Sequence, residues 1–179
     1  MQQGVQYRDL LVSPTEFLIG PEDVLVVTVW RNQELSKEVI VRPDGKISLP
    51  LIGDVVASGK TAQALSKQVA DALAEFMSTP NVSVQVKEIN SYHVFAVGEL
   101  LKPGKIVLKS FTTVMQGISY AGGFTPFASR NNVHVLRLVK TAQGETKQVM
   151  IPIPYQDILL GKNLEANIVL KAGDVIAVP

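Results

Sequence analysis

The chain has 179 residues, 46% of them hydrophobic, and 17 basic against 16 acidic residues give a formal net charge of +1 at pH 7. That length suits one ordinary domain or two small ones, and a charged share of 18%, against about 25% in typical soluble domains, excludes an intrinsically disordered chain. No block of like charges occurs, which excludes electrostatic capture of nucleic acid; cysteine is absent, which excludes thiol catalysis, thiolate metal sites, disulfides and lipid attachment to cysteine.

No stretch approaches the roughly 18 consecutive apolar residues of a membrane helix. The opening MQQGVQYRDL lacks the apolar core of a secretory signal, so the reading is either a cytoplasmic protein or one whose leader has been removed. Residues 1–13 are expected to be a flexible N-terminal segment.

From Phe17 the chain reads FLIGPEDVLVVTVW. A turn at Gly20-Pro21-Glu22-Asp23 followed by a β-branched run predicts a buried strand over Val24–Val29. In EVIVRPDGKISLPLIG, Pro43 and Gly45 suit a type I turn, which predicts a hairpin of Glu38–Arg42 with Lys46–Leu49. Ile47, Leu49 and Leu51 alternate as a half-buried strand does. Thr61–Met77 carries one apolar stripe, Leu65, Val69, Ala72, Leu73 and Phe76, with Thr61 as N-cap and Pro80 beyond the end. Val82, Val84 and Val86 then alternate with polar residues, a strand pattern, and a boundary falls near Asn90–Ser91.

The second half repeats this grammar. Strands are expected over Tyr92–Val97 and Ile106–Leu108, joined through a type II turn at Lys102-Pro103-Gly104-Lys105. Phe111, Val114, Met115 and Ile118 form a short helical stripe ended by Gly122-Gly123, and Gly117 within it marks close packing. Asn132–Val139 and Thr146–Ile151 pair across a Gln143-Gly144 turn, Asp157–Leu160 suits one helical turn, and Val175–Val178 closes the chain. Few helices among many short strands predict an α+β fold of two small domains: β-hairpin, helix and strand over 14–90, then 91–179. Pro21-Glu22-Asp23-Val24 also echoes Ala172-Gly173-Asp174-Val175, each placing an Asp where its side chain can bond the backbone two residues on.

Chemistry-bearing patterns are sparse. Ser58-Gly59-Lys60-Thr61 opens a helix as a phosphate-binding loop does, but Gly53 stands one residue too far away and Asp54 occupies the required glycine position. His93 and His134 lie in different strands without further ligands at metal spacing, and no nucleophile elbow occurs. The expectation is a non-enzyme without a cofactor. Trp30, followed by Arg31 and Asn32, is either a sugar or partner-protein contact or a partly buried anchor of the hairpin, the commoner role of the residue type. Arg42 and Asp44 join the candidate contacts.

IGPEDVLVVTVWRNQELSKEVIVRPDGKISLPLIGDVVASGKTAQALSKQVADAL resembles the export domain of the outer-membrane polysaccharide export family, and VFAVGELLKPGKIVLKSFTTVMQGISYAGGFTPFA with LKAGDVIAVP resembles its soluble-ligand-binding β-grasp domain. The carrying positions are Asp23, Pro43, Gly45, Gly98, Pro103, Gly104, Gly122, Gly123, Gly173 and Asp174; Glu22 stands where family members commonly have glycine. The resemblance implies a periplasmic component associated with the outer membrane, a ring of identical protomers passing capsular or exopolysaccharide, with an inner-membrane polysaccharide copolymerase as partner. Longer members add a C-terminal membrane helix. A chain ending at Pro179 is expected to be either a short-class exporter served by a separate outer-membrane β-barrel or a piece of a longer protein. The alternative is a β-grasp module that binds a small soluble ligand or a partner protein.

Overall fold

The computed structural model describes residues 14–141 and 144–179. Two units emerge, one over Thr15–Ser91 and one built on Tyr92–Pro179, and the fold is α+β. The expected N-terminal segment 1–13 lies outside the described residues, as does Gln143 of the expected turn.

In the first unit, β1 (Val24–Val29) lies between β2 (Lys37–Ile40) and β5 (Val82–Glu88), antiparallel to both. A separate ribbon pairs β3 (Lys46–Leu49) with β4 (Gly53–Val56). Helix α1 (Ala62–Leu73) buries Leu65, Val69 and Leu73 in one core with Leu25, Val27, Val39, Ile47 and Val55. Thr61 caps α1 by accepting the Ala64 N–H, as its sequence position predicts.

Three sequence expectations are corrected here. The turn at Arg42–Gly45 forms, with the Gly45 N–H on the Arg42 carbonyl at 2.8 Å, but the strands flanking it enter different sheets. Val41 exchanges backbone bonds with Glu22 and Asp23, which commits β2 to β1, while β3 is captured by β4, its neighbour along the chain. Leu51 is exposed, because β3 stops at Leu49 and the chain reverses through Leu51 at φ 67°. Helix α1 ends at Leu73, and Phe76 is exposed instead of completing the stripe. The N–H groups of Phe76 and Met77 both turn back onto the Leu73 carbonyl, and Thr79 at φ 46° redirects the chain into β5.

In the second unit, β6 (His93–Gly98), β7 (Gly104–Val107), β8 (Val133–Lys140), β9 (Thr146–Ile153) and β10 (Val175–Val178) form one β-grasp-like sheet in the order β7-β6-β10-β8-β9. The last strand is inserted at the centre, parallel to β6 and antiparallel to β8. Helix α2 (Val114–Tyr120) lies against the sheet, capped by a reciprocal Thr113–Gln116 pair. Gly117 brings it close: a Cβ there would meet Ile176 and Leu170 at 2.8 Å. Gly98 is more constrained still, with φ 92° and the Val178 carbonyl 1.9 Å from where a Cβ would stand. Gly122 and Gly123, both at positive φ, close α2 by bonding back to Ser119 and Ile118. A final short helix, α3, spans Tyr155–Leu159, starting two residues and ending one residue earlier than expected.

The expected type II turn at Lys102–Lys105 is also corrected. Gly104 is already the first residue of β7, opposite Ala96, because the Leu101 and Lys102 N–H groups are drawn onto the Gly123 and Ala121 carbonyls.

The echoed aspartates hold both units together internally, by a bond that runs back three residues instead of two forward. Asp23 accepts the Gly20 N–H and Asp174 the Lys171 N–H, at 2.8 and 2.7 Å. Each closes a turn with a left-handed third residue, Glu22 at φ 72° and Gly173 at φ 83°, as a type II turn requires. Asp23 also accepts from the Asn90 and Ser91 N–H groups and the Ser91 hydroxyl. Asp174 takes the Arg137 guanidinium at 2.6 Å, with the two side chains 1% and 3% exposed.

Breaking one half of a buried ion pair costs about 3–5 kcal/mol. Asp174→Ala is therefore expected to lower unfolding free energy by about that amount, read from the urea midpoint of the purified chain. Glu22→Gly is expected to act oppositely, raising stability by about 1 kcal/mol, since a left-handed non-glycine residue carries roughly 1–2 kcal/mol of strain; a fall in midpoint would contradict the assigned turn geometry.

Candidate functional site

Alternation along β1 buries Val29 and turns Trp30 out to solvent, 68% exposed. The anchor role for Trp30 is thus corrected: no hairpin core receives the indole. Its position is nonetheless well held. The Trp30 N–H bonds the Asn81 carbonyl at 2.9 Å, continuing the β1–β5 register, and the Asn32 N–H returns to Val29. Arg31 takes a left-handed conformation at φ 59°, and the Ser36 hydroxyl bonds the backbone of Val29 and Asn32, so the loop is braced from within.

Asn81 leads into an open cleft of about 450 Å³ between α1 and the start of β5, lined also by Gln63, Ser66, Lys67 and Thr79. Its walls offer amides, an ammonium and hydroxyls, and no carboxylate. An exposed indole presents a flat apolar face with an edge N–H. That combination suits a pyranose ring, whose C–H face is apolar and whose rim is hydroxylated. The cleft residues carried no sequence signal of their own, because only the β1–β5 pairing brings Asn81 beside Trp30.

Arg42 and Asp44 belong elsewhere. They lie beyond the opposite end of the β1–β2 pair, about 20 Å from Trp30 at the usual ~3.3 Å rise per strand residue over β1. The Arg42 guanidinium bonds Asp44 at 3.1 and 2.6 Å, Asp54 at 3.0 and 2.8 Å, and the Ser48 hydroxyl at 3.1 Å. Ser48 and Asp54 face each other across the β3–β4 ribbon, a partnership that only the register reveals. Hydrogen bonds from Arg42 hold the Asp44 carboxyl down at about 2 and also lower that of Asp54, while the two carboxylates raise Arg42. The network is exposed, so solvent screening leaves it as a local clamp of small energetic weight.

The Ser58–Thr61 turn does not cradle phosphate. Three of its N–H groups are spent inside the protein, Ser58 on the Gly45 carbonyl, Gly59 on Ile19 and Lys60 on Ala57, while the Lys60 ammonium bonds Gln68. His93 and His134 lie half-buried on β6 and β8. Among the described residues no group of three His, Asp or Glu side chains could hold a metal ion, and no helix is long and apolar enough to cross a membrane.

Comparison with known proteins adds to this geometry. The family model for polysaccharide biosynthesis/export proteins matches residues 12–87, and the SLBB domain model matches residues 94–154. The chain is 25% identical over 194 aligned positions to the EPS I polysaccharide export outer membrane protein EpsA of Ralstonia nicotianae, covering 94% of this chain and 49% of that protein. It is 24% identical to the capsule polysaccharide export outer membrane protein CtrA of Neisseria meningitidis serogroup B, covering 98% and 46%. To the capsule polysaccharide export protein BexD of Haemophilus influenzae it is 28% identical, over 77% of this chain and 32% of that one. The chain thus spans about half the length of these relatives or less.

The Arg42 clamp has a direct test. A depressed carboxyl stays ionised until the pH falls toward its own folded value, so the Asp44 carboxyl resonance should hold steady through pH 4 and titrate near 2. In Arg42→Ala it should rise toward the ordinary value of about 3.9, held below it by the Lys46 N–H that remains; an unchanged midpoint would show that Arg42 does not hold it.

Proposed function

Because the chain belongs to the polysaccharide export family, with the export domain followed by the SLBB domain, we propose that it serves in capsular or exopolysaccharide export at the outer membrane, as one protomer of an oligomeric conduit. The observation that carries this reading is the ordered pair of family matches, joined by relatives named as export proteins that align over nearly the whole chain. Residues 14–90 are assigned to the export domain and 91–179 to the β-grasp domain. The protein acts on its periplasmic side of the outer membrane, with an inner-membrane polysaccharide copolymerase as partner, and it does no bond-breaking chemistry.

A conduit for a polymer must bind each passing unit loosely enough to release it. Trp30, Arg31 and Asn32 suit that task, since one exposed indole with a few polar neighbours makes a weak and repeatable contact. The internally saturated Arg42–Asp44–Asp54 network suits it less, because its donors are already engaged. Closed rings arise from head-to-tail contacts between identical protomers whose rotation closes.

Deleting the gene is expected to leave polysaccharide inside the cell envelope, measured by fractionation of periplasm and surface. Complementation with Trp30→Ala is expected to restore the ring, seen by native mass spectrometry, but to slow surface appearance several-fold, as loss of an aromatic contact of about 1 kcal/mol would. Normal surface polysaccharide in the deletion strain would overturn the reading.

A further inference from the structure

The second unit carries a cleft of another character. It opens between the free edge of β7 and the C-terminal end of α2, with a volume of about 660 Å³, within the range of ligand sites. Lys102, Lys105, Lys109, Ser110 and Tyr120 line it over an apolar floor that includes Ile106 and Leu108. No carboxylate is among the lining residues, and among the described residues none of the three lysines is held in a salt bridge. A chain of net charge +1 therefore concentrates three uncompensated cations on one short edge. Tyr120 stands 61% exposed there, an aromatic face with a hydroxyl at its tip.

The backbone adds donors of its own. The Leu108 N–H bonds the Tyr92 carbonyl, so in the antiparallel β6–β7 register the alternate residues Lys105 and Val107 turn their N–H and C=O groups outward along the free edge. Ammonium groups and outward N–H groups suit a carboxylate, and the tyrosine ring suits the apolar face of the sugar that bears it. Lysines on a sheet edge also oppose the addition of another strand, which weighs against a protein segment as the occupant.

From this juxtaposition we infer that the β7–α2 cleft is a binding site for acidic saccharide units, sugars bearing a carboxylate. The inference rests on the export reading and narrows it: the polymer served is anionic, and this edge holds its charged units briefly by exposed, salt-screened contacts.

The test uses the full chain with pentagalacturonate as probe, against maltopentaose and a glutamate pentapeptide. Pentagalacturonate is expected to shift the amide resonances of Lys105, Val107 and Tyr120, more weakly as salt rises. Combined Lys102→Gln, Lys105→Gln and Lys109→Gln substitutions should weaken it at least ten-fold while the urea midpoint stays unchanged, and Tyr120→Ala should weaken it several-fold. Maltopentaose and the glutamate peptide should bind at least ten-fold more weakly than pentagalacturonate. Equal binding of either control, unchanged binding by the lysine variant, or no binding by the native chain would each overturn the site. So would a lysine variant that merely self-associates through β7 without losing the probe. Export failure in the deletion strain alongside any of these results would sink the site alone, whereas normal export in that strain would sink the export reading itself.

Discussion

Two buried carboxylates, Asp23 and Asp174, set the geometry from which the rest of each unit is built. A carboxylate removed from water costs several kcal/mol unless its lone pairs are filled, and each is filled by groups that only the correct fold presents. Asp23 gathers neutral donors from Gly20, Asn90 and Ser91, which ties the entry of β1 to the exit of β5. Asp174 gathers the Lys171 N–H and the Arg137 guanidinium, which fixes the entry of β10 beside β8. In both cases the strand that follows lies inside its sheet, so an error at the turn would misplace every pairing on either side. One turn device thus meets two electrostatic solutions, a nest of neutral donors and an ion pair.

That internal economy leaves the outer surface free for weak chemistry. The charged groups whose hydrogen bonds are made within the protein, Asp23, Asp174, Arg137 and the Arg42 network, are absorbed by structure. What remains exposed is modest in strength: an indole and an amide-lined cleft in one unit, and lysines with a tyrosine along an open edge in the other. Neither is a deep enclosed pocket. Under the proposed export role shallow sites are physically appropriate, because residence time on each unit of a moving polymer limits the rate of passage.

Much was legible in the sequence because it is local. The run Val24–Val29, the alternation of Val82, Val84 and Val86, the Thr61 cap and the glycines after α2 are each decided by neighbours within a few residues. Errors arose where a nonlocal partner overrode a sound local signal. The Arg42–Gly45 turn formed as its residues demand, yet β2 and β3 left it for different sheets. Phe76 had the right helical spacing, but the chain had to reverse before reaching it to place β5 on β1. Trp30 followed the commoner pattern of its residue type on paper and the alternation of β1 in fact.

The sequence by itself determined the α+β class, the two-part organisation and the turn chemistry that starts β1 and β10, since these depend on composition, periodicity and local turn residues; its ordered short motifs carried a resemblance to an export family. Tertiary structure alone decided that β10 enters the middle of its sheet, that Asp174 meets Arg137, that Asp54 joins Arg42, and that Asn81 stands beside Trp30. The reason is strand register. A sheet brings together residues tens of positions apart, by hydrogen bonds that every backbone offers alike, so the choice among partners is made only when side chains pack and buried charges find their donors.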